Sequence, residues 1–258
     1  MSRKARQISI TKIYHVILRG NDKQDIFYED QDYIKFLKII QTVQKKYSYE
    51  IYEYCLMTNH VHLIIYDDKN VLSKIMQSLS ISYSLYFSKK YEKNGHLFQN
   101  RFLSKTVETQ NYLYRLCRYI HQNPLKAKIA KTEEYKWSSY HEFISKAKII
   151  NPKPILSMFG QTKKESLENF IIYHHHNESQ INDEFEYELV SKLTDAQVKE
   201  KIEKILNITN VREIRTYDKK LRNEQLKKLG IIKGTSKSQI SRVLGINKKI
   251  IQKILKNE

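Results

Sequence analysis

Two histidines stand one residue apart in MTNHVHLII, the stretch from Met57 to Ile65. Because residues two apart on a β-strand project from the same face, we expect His60 and His62 to point together while their neighbours face the other way. Two adjacent imidazoles supply two of the nitrogen ligands that a divalent metal ion requires. The pair alone is also compatible with two surface histidines on an exposed sheet face, so a further ligand has to converge on it.

A second group with suitable chemistry lies later in the chain, in RLCRYIHQNPLKA from Arg115 to Ala127. Tyr119 and Asn123 are four residues apart, which places them on one helix face, and the following proline puts Asn123 in the last helical turn. The amide oxygen of Asn123 is a candidate third ligand. Neutral ligands with open coordination positions suit Mg²⁺ or Mn²⁺ engaged by an anionic substrate better than a closed zinc site. Tyr119 alone is compatible with packing, because the chain has 19 tyrosines.

The hydrophobic spacing predicts the elements that position these residues. We expect strands over 13–18, 51–57 and 61–66, a strand or hairpin over 97–107, and helices over 30–46, 71–91 and 110–122. The order β-α-β-β-α-β-α predicts an α+β fold: a ferredoxin-like antiparallel sheet with helices on one face.

The composition describes a globular chain with a strong positive charge. Of 258 residues, 40% are hydrophobic and 29% charged. No apolar run approaches the ~20 residues of a membrane helix, and no signal peptide opens the chain, so we expect a cytoplasmic protein that contacts no membrane. Cys55 and Cys117 are expected to be buried free thiols. A net charge of +18 favours nucleic acid as the partner.

The charge also indicates the domain organisation. Residues 196–258 hold 17 Lys and Arg against 6 Asp and Glu, whereas residues 162–195 hold 3 against 8. Two basic blocks are therefore separated by an acidic one. We predict a domain over 1–148, a linker with short helices over 149–195, and a helical DNA-binding domain over 196–258.

The pattern GTSKSQISRVLGINKKIIQKILK in the last block is typical of a helix-turn-helix. Thr235 or Ser236 can cap the first helix, Gly245 provides the turn and Asn247 begins the second helix. The outer face of that second helix would carry side chains available to the major groove of duplex DNA: Lys248, Lys249, Gln252 and Lys253. A three-helix bundle with a solvated lysine face is the alternative.

The motifs together resemble a known family. MTNHVHLII followed by YIHQNP is similar to the HUH single-tyrosine transposases, in particular the REP-associated tyrosine transposase branch with its IS200-like domain. YHVILRGNDKQDIFYEDQDYIKFL and GHLFQNRFLSKTV resemble the opening strand and the hairpin of that branch. The resemblance covers about residues 8–145. The chain departs from the usual pattern at Thr58, Phe98 and Lys128, none of which removes a reactive group.

The resemblance implies roles for individual residues. His60 and His62 match the metal-binding pair, Tyr119 matches the nucleophile, and Asn123 matches the third ligand. It implies a metal-dependent endonuclease and strand transferase that acts on single-stranded or hairpin DNA through a 5′-phosphotyrosine. Candidate DNA contacts lie in the matching turn and hairpin and just after the helix: Arg19, Asn21, Gln99, Asn100, Arg101, Lys105 and Lys126. Ordinary solvated loops are the alternative for these residues.

Two other function classes stay open. A non-catalytic DNA-binding regulator could keep the fold and the helix-turn-helix, and a simple metal-dependent nuclease would not need Tyr119. The protein could be a monomer or a homodimer. Structural roles are expected for five other histidines. His15, in the first strand, and His121, which lies about 200° around the helix from Tyr119, are expected to pack. His174, His175 and His176 are expected to lie on a polar surface.

Overall fold

The structure is a computed structural model that describes residues 6–99, 101–175, 185, 193–229, 232 and 235–255. The chain divides into two compact units, Met1–Phe185 and Glu186–Glu258. No helix within the described ranges is long and apolar enough to cross a membrane.

A four-stranded antiparallel sheet organises the first unit. Its strands are β1 (Ile13–Arg19), β2 (Glu50–Met57), β3 (His60–Tyr66) and β4 (Leu103–Thr106), in the order β2-β3-β1-β4. The helices between them are α1 (Asp30–Tyr47) and α2 (Leu72–Tyr91), followed by α3 (Gln110–His121) and α4 (Asn123–Lys126). This strand order is the ferredoxin-like arrangement, so the predicted α+β fold is confirmed.

The strand register separates an apolar face from a polar one. In the β1–β3 ladder Ile17 lies opposite His62 and Arg19 lies opposite His60. Because directly opposed residues share a face, Arg19 and the two histidines lie on one side of the sheet. The intervening residues, including Leu18 and Leu63, are buried in the same hydrophobic core as side chains of α1 and α2.

Helices α1 and α2 cover the apolar face, as the predicted layer arrangement requires. Helix α3 lies on the other side, where its Tyr119 ring approaches His62 and its His121 approaches Glu53 of β2. The prediction of helices on one face only therefore omits the layer that α3 forms on the other face. Sequence periodicity could not show it, because a face that carries histidines and a glutamate has the polarity of a solvated surface.

The segment predicted as a linker contributes to the first core. Three helices lie in or next to it: α5 (Tyr140–Ile144), α6 (Lys153–Leu156) and α7 (Lys163–His175). Ile155 and Phe170 are completely buried in the first unit. Residues 149–175 are therefore part of that unit rather than a spacer, and the prediction is wrong for them. Residues 176–184 and 186–192 lie outside the described residues.

The second unit is helical in its described ranges. Its helices are α8 (Asp195–Leu206), α9 (Lys219–Lys228), α10 (Lys237–Leu244) and α11 (Lys248–Ile254), with a 3₁₀ turn at Val211–Arg215. Gly245 ends α10 at a positive φ of 61°. A side chain there would also overlap the Arg215 guanidinium, whose Nε donates to the Leu244 carbonyl at 2.7 Å. Both constraints favour glycine between α10 and α11.

A buried carboxylate joins α1 to α2. Asp32 is fully buried, and its oxygens accept hydrogen bonds from the amides of Tyr28 and Glu29, from the hydroxyls of Tyr86 and Tyr91, and from Lys90 Nζ. Burial alone would raise the pKa of Asp32, but the hydrogen bonds from Lys90, Tyr91 and the others outweigh it and hold the pKa at about 2.

We expect Asp32→Ala to lower the free energy of unfolding by about 3 kcal/mol, because it strands several buried donors and an ammonium group. Urea denaturation at neutral pH would measure the loss. Asp30→Ala is the control, since it removes only an exposed ion pair to Lys136 and should cost less than about 1 kcal/mol. Equal losses for the two variants would contradict this assignment. Because the pKa of Asp32 lies below its usual 3.8, its contribution is present above that pH and is lost as the pH falls through about 2.

Candidate active site

The two histidines lie at the start of β3, next to the β2–β3 turn. Their ring centroids are 4.9 Å apart with the planes at 84°, and His62 is buried while His60 is half-buried. The turn is fixed by backbone bonds, in which Gly20 N donates to the Asn59 carbonyl at 2.9 Å and Ile26 N to the Thr58 carbonyl at 2.8 Å. The strand register places both histidines on the same face of the sheet, as predicted.

Each histidine ring is held through its Nδ1 atom. Nδ1 of His60 lies 2.6 Å from Oδ1 of Asn59, and Nδ1 of His62 lies 3.0 Å from Nε2 of His15. These contacts leave Nε2 of each ring as the nitrogen that can bind a metal ion.

Asn123 approaches the pair from the junction of α3 and α4. Its Nδ2 donates to the Tyr119 carbonyl at 2.8 Å, and its side chain lies close enough to His60 to influence the pKa of that ring. Because Nδ2 is bonded to the Tyr119 carbonyl, the amide oxygen is the atom of Asn123 that is suited to bind a metal ion. The structure thus brings all three predicted ligands together.

Tyr119 borders this group and is largely buried. Its ring lies 5.7 Å from the His62 ring, at 90°, and Lys126 Nζ lies 5.9 Å from its centroid. The ring of Phe185 lies 5.1 Å away on another side. Tyr119 and Asn123 project from consecutive turns, as their spacing predicts.

The electrostatic setting keeps the imidazoles neutral. Burial, together with the nearby Arg19 cation, lowers the pKa of His60 to about 4. Burial, His60, His15 and Arg19 lower the pKa of His62 well below its usual range. At neutral pH both rings therefore keep a nitrogen lone pair, which metal coordination requires.

This donor set fits a divalent ion with open positions. It consists of two neutral imidazoles and one amide oxygen, and no three His, Cys, Asp or Glu side chains converge as a metal site in the part of the chain that the structure describes. Asn123 could supply the third protein ligand at this position, and oxygen from a substrate or water would complete the coordination.

Residues 9–123 match the model of the family described as Transposase IS200 like. The matched residues lie within the first unit. The match supports a transposase role for the protein. No curated protein sequence matches the chain.

Two solved structures are similar to part of this chain. One is described as a REP-associated tyrosine transposase bound to a REP hairpin; it shares 16% identity, with 57% of this chain and 87% of that chain covered and a TM-score of 0.48. The other is a protein of Deinococcus radiodurans R1 that carries the name of a transposase, at 15% identity, with 47% and 97% covered and a TM-score of 0.34.

Three of the predicted DNA contacts surround the site. Arg19 lies opposite His60, and its buried Nε has no hydrogen-bond partner among the described residues. Lys126 adjoins Tyr119, and Lys105 is exposed on β4 in register with His15. These cations make the rim of the candidate site positive, as phosphate binding requires.

The other predicted contacts lie in the turn and hairpin of the first unit and on α11 of the second unit. Gln99 N donates to the Arg19 carbonyl and Asn21 N to the Leu97 carbonyl, both at 2.8 Å, which places the two residues at the same end of the sheet. Arg101 is exposed, and Asn100 lies outside the described residues. In the second unit Lys248, Lys249 and Lys253 are exposed on α11, and Gln252 is half-buried.

A buried polar network next to the candidate site was not predicted. His121 Nε2 lies 2.9 Å from Ser139 Oγ and 3.4 Å from Glu53, and His121 Nδ1 lies 3.1 Å from His174 Nε2. Gln122 Nε2 donates to the His174 carbonyl at 3.0 Å. This network joins β2, α3 and α7.

The network is composed of neutral groups. Burial raises the pKa of Glu53 and lowers that of His121, so the two lie together without a net charge. His121 packs in the core, as expected. His174 is buried whereas His175 is exposed, so the polar-surface prediction is wrong for His174, because α7 turns that residue toward α3.

We expect His121→Leu to lower the free energy of unfolding by about 2–4 kcal/mol, because it removes a hydrogen-bond partner from Ser139 and from His174 and the polar neighbour of the buried Glu53. Chemical denaturation would measure this. His175→Ala, an exposed histidine on α7, should change stability by less than about 0.5 kcal/mol. A His121→Leu protein as stable as the parent would show that the network contributes nothing to folding.

Proposed function

We propose that the protein is a metal-dependent endonuclease and strand transferase of the HUH single-tyrosine type, in the REP-associated branch, acting on single-stranded, hairpin-containing DNA. One observation carries the proposal. Tyr119 lies against His62, and the side chain of Asn123, one turn beyond it, lies close to His60. A nucleophile and three neutral ligands thus meet on one face of the sheet.

The ligand set defines what the metal would contribute. Mg²⁺ or Mn²⁺ held by His60, His62 and Asn123 would polarise the scissile phosphate and offset the negative charge that develops on it. The protein supplies a fixed geometry, since both rings are held through Nδ1 and Asn123 is held on the Tyr119 carbonyl.

Tyr119 is the proposed nucleophile. Its phenol oxygen attacks phosphorus, the Tyr119–phosphorus bond forms, and the bond to the 3′ oxygen of the adjoining nucleotide breaks; that oxygen takes a proton and leaves as a free 3′-OH. A phenol with a pKa near ~10 needs a cation nearby at neutral pH. The Lys126 ammonium, beside the ring, can provide it.

The covalent link accounts for strand transfer. The 5′-phosphotyrosine conserves the energy of the original phosphodiester, so a 3′-OH from another strand can reverse the step and join DNA without a nucleotide cofactor. Arg19, Lys105 and Lys126 would bind the flanking phosphates. Asn21, Gln99, Asn100 and Arg101 remain candidate contacts to the hairpin.

The competing classes make different use of the site. A DNA-binding regulator has no need of His60, His62, Tyr119 and Asn123 in one place, and their convergence favours the enzyme. A nuclease that uses water as nucleophile would not need the phenol of Tyr119. A cytoplasmic location and a monomeric or homodimeric state remain predictions.

We expect the protein to form a denaturant-resistant adduct with end-labelled hairpin oligonucleotides in the presence of Mn²⁺ or Mg²⁺, and Tyr119→Phe to abolish it, because the substitution removes only the attacking oxygen. A denaturing gel would reveal the adduct as a slow band. Tyr114→Phe is the matched control, since that tyrosine lies on the same helix but packs on Phe159 and Tyr173.

The other outcomes separate the alternatives. Cleavage that survives Tyr119→Phe would identify a simple nuclease. Hairpin binding without cleavage by the parent protein, across several hairpins and with either metal, would favour the regulator.

We separately propose that the second unit binds duplex DNA through α11. Asn247 caps this helix by accepting from Lys249 N at 2.9 Å, and Ile251 anchors it in the core of the unit. Its three exposed lysines then face away from that core. This arrangement suits a recognition helix in the major groove.

We expect Lys249→Ala and Lys253→Ala each to weaken duplex binding and to reduce the slope of log K against log salt by about 1, because each removes one phosphate contact. Fluorescence anisotropy across a salt series would measure both quantities. Lys201→Ala, on the exposed side of α8, is the charge-matched control. The same loss from all three variants would indicate a diffuse charge effect rather than a groove-binding helix.

A further inference from the structure

The residue behind the metal-binding pair is itself a histidine. His15, on β1, is completely buried, and its Nε2 lies 3.0 Å from His62 Nδ1, with the two rings 5.3 Å apart and nearly parallel at 20°. In the β1–β3 ladder His15 faces Ile64, so it reaches His62 diagonally across the ladder.

We propose that His15 is a positioning residue that holds His62 in the Nδ1-protonated tautomer and so directs the Nε2 lone pair at the metal. The inference rests on the proposed function, because it assigns His62 as a ligand. It gives His15 a role beyond the core packing expected for it.

The direction of one hydrogen bond carries the argument. A neutral imidazole has one N–H and one lone pair. If His62 Nδ1 donates to His15 Nε2, then His62 Nε2 has a lone pair and can bind a metal ion. If His15 donates instead, the proton of His62 stays on Nε2 and that nitrogen cannot coordinate. Metal binding therefore requires His15 to act as the acceptor.

The neighbouring ligand shows the same arrangement with an unambiguous acceptor. Asn59 Nδ2 donates to the Lys23 carbonyl at 3.3 Å, so its Oδ1 is the atom that faces His60 Nδ1 at 2.6 Å. An amide oxygen only accepts hydrogen bonds, and Nδ1 of His60 must donate. Both histidines would then be oriented alike, each donating from Nδ1 to a residue that does not bind the metal, which is the usual support for metal-binding histidines.

The experiment separates an acceptor from a space-filling ring. His15→Gln keeps an amide oxygen that can reach the position of Nε2, whereas His15→Phe keeps the ring and loses the acceptor. His141→Phe, at a half-buried position on α5, is the control for the same substitution away from the metal-binding pair. Mn²⁺ affinity would be measured by electron paramagnetic resonance on the full-length, DNA-free protein, after circular dichroism has verified folding.

We expect His15→Phe to weaken Mn²⁺ binding by about 10–100-fold, with His15→Gln and His141→Phe staying close to the parent. Long-range ¹H–¹⁵N spectra of the metal-free parent should show His62 protonated on Nδ1. An Nε2-protonated His62, or a folded His15→Phe protein with parental Mn²⁺ affinity, would overturn the inference.

The two proposals fail in distinguishable ways. If His60→Ala abolishes Mn²⁺ binding while His15→Phe leaves it intact, the metal site stands and the role of His15 is wrong. If the parent protein binds no Mn²⁺, both the metal site and the role of His15 are overturned.

Discussion

The two-residue side-chain period of β3 is the constraint on which the structure depends. Paired on both sides, by β1 and by β2, the strand directs Val61 and Leu63 into the apolar core and His60 and His62 to the opposite face. A shift of one residue in either ladder would turn the imidazoles toward the apolar layer under α1 and α2 and turn Val61 and Leu63 toward α3. The burial of the apolar residues that sets the strand register therefore also sets the position of the two histidines.

The break between α3 and α4 sets the remaining geometry. Helix α3 ends at His121, and Pro124 lies at the start of α4, so Asn123 stands at the junction with its Nδ2 bonded to the Tyr119 carbonyl. The bond ties the proposed third ligand to the backbone of the proposed nucleophile. A shift of α3 along the sheet would move both residues together, which keeps their separation constant.

Local pattern predicted much of this arrangement. Strand alternation placed His60 and His62 on one face, helical spacing placed Tyr119 near Asn123, and the order of elements gave the ferredoxin-like sheet. Each of these relations lies within one element or follows from the order of elements. The bond between His15 and His62 and the position of Glu53 beneath His121 could not be predicted, since they depend on which strand or helix packs beside which residue. The same holds for α7, whose polar sequence conceals the buried Phe170.

The buried network beneath α3 bears on where this domain ends. Residues 9–123 match the transposase family, yet His121 and Gln122 bond to His174, and Phe170 fills the space beside them. A polypeptide that stopped after α4 would leave a fully buried histidine and a buried glutamine facing water beside an uncovered aromatic cluster. The smallest piece that can hold Tyr119 and Asn123 in place is therefore longer than the family match and extends through α7.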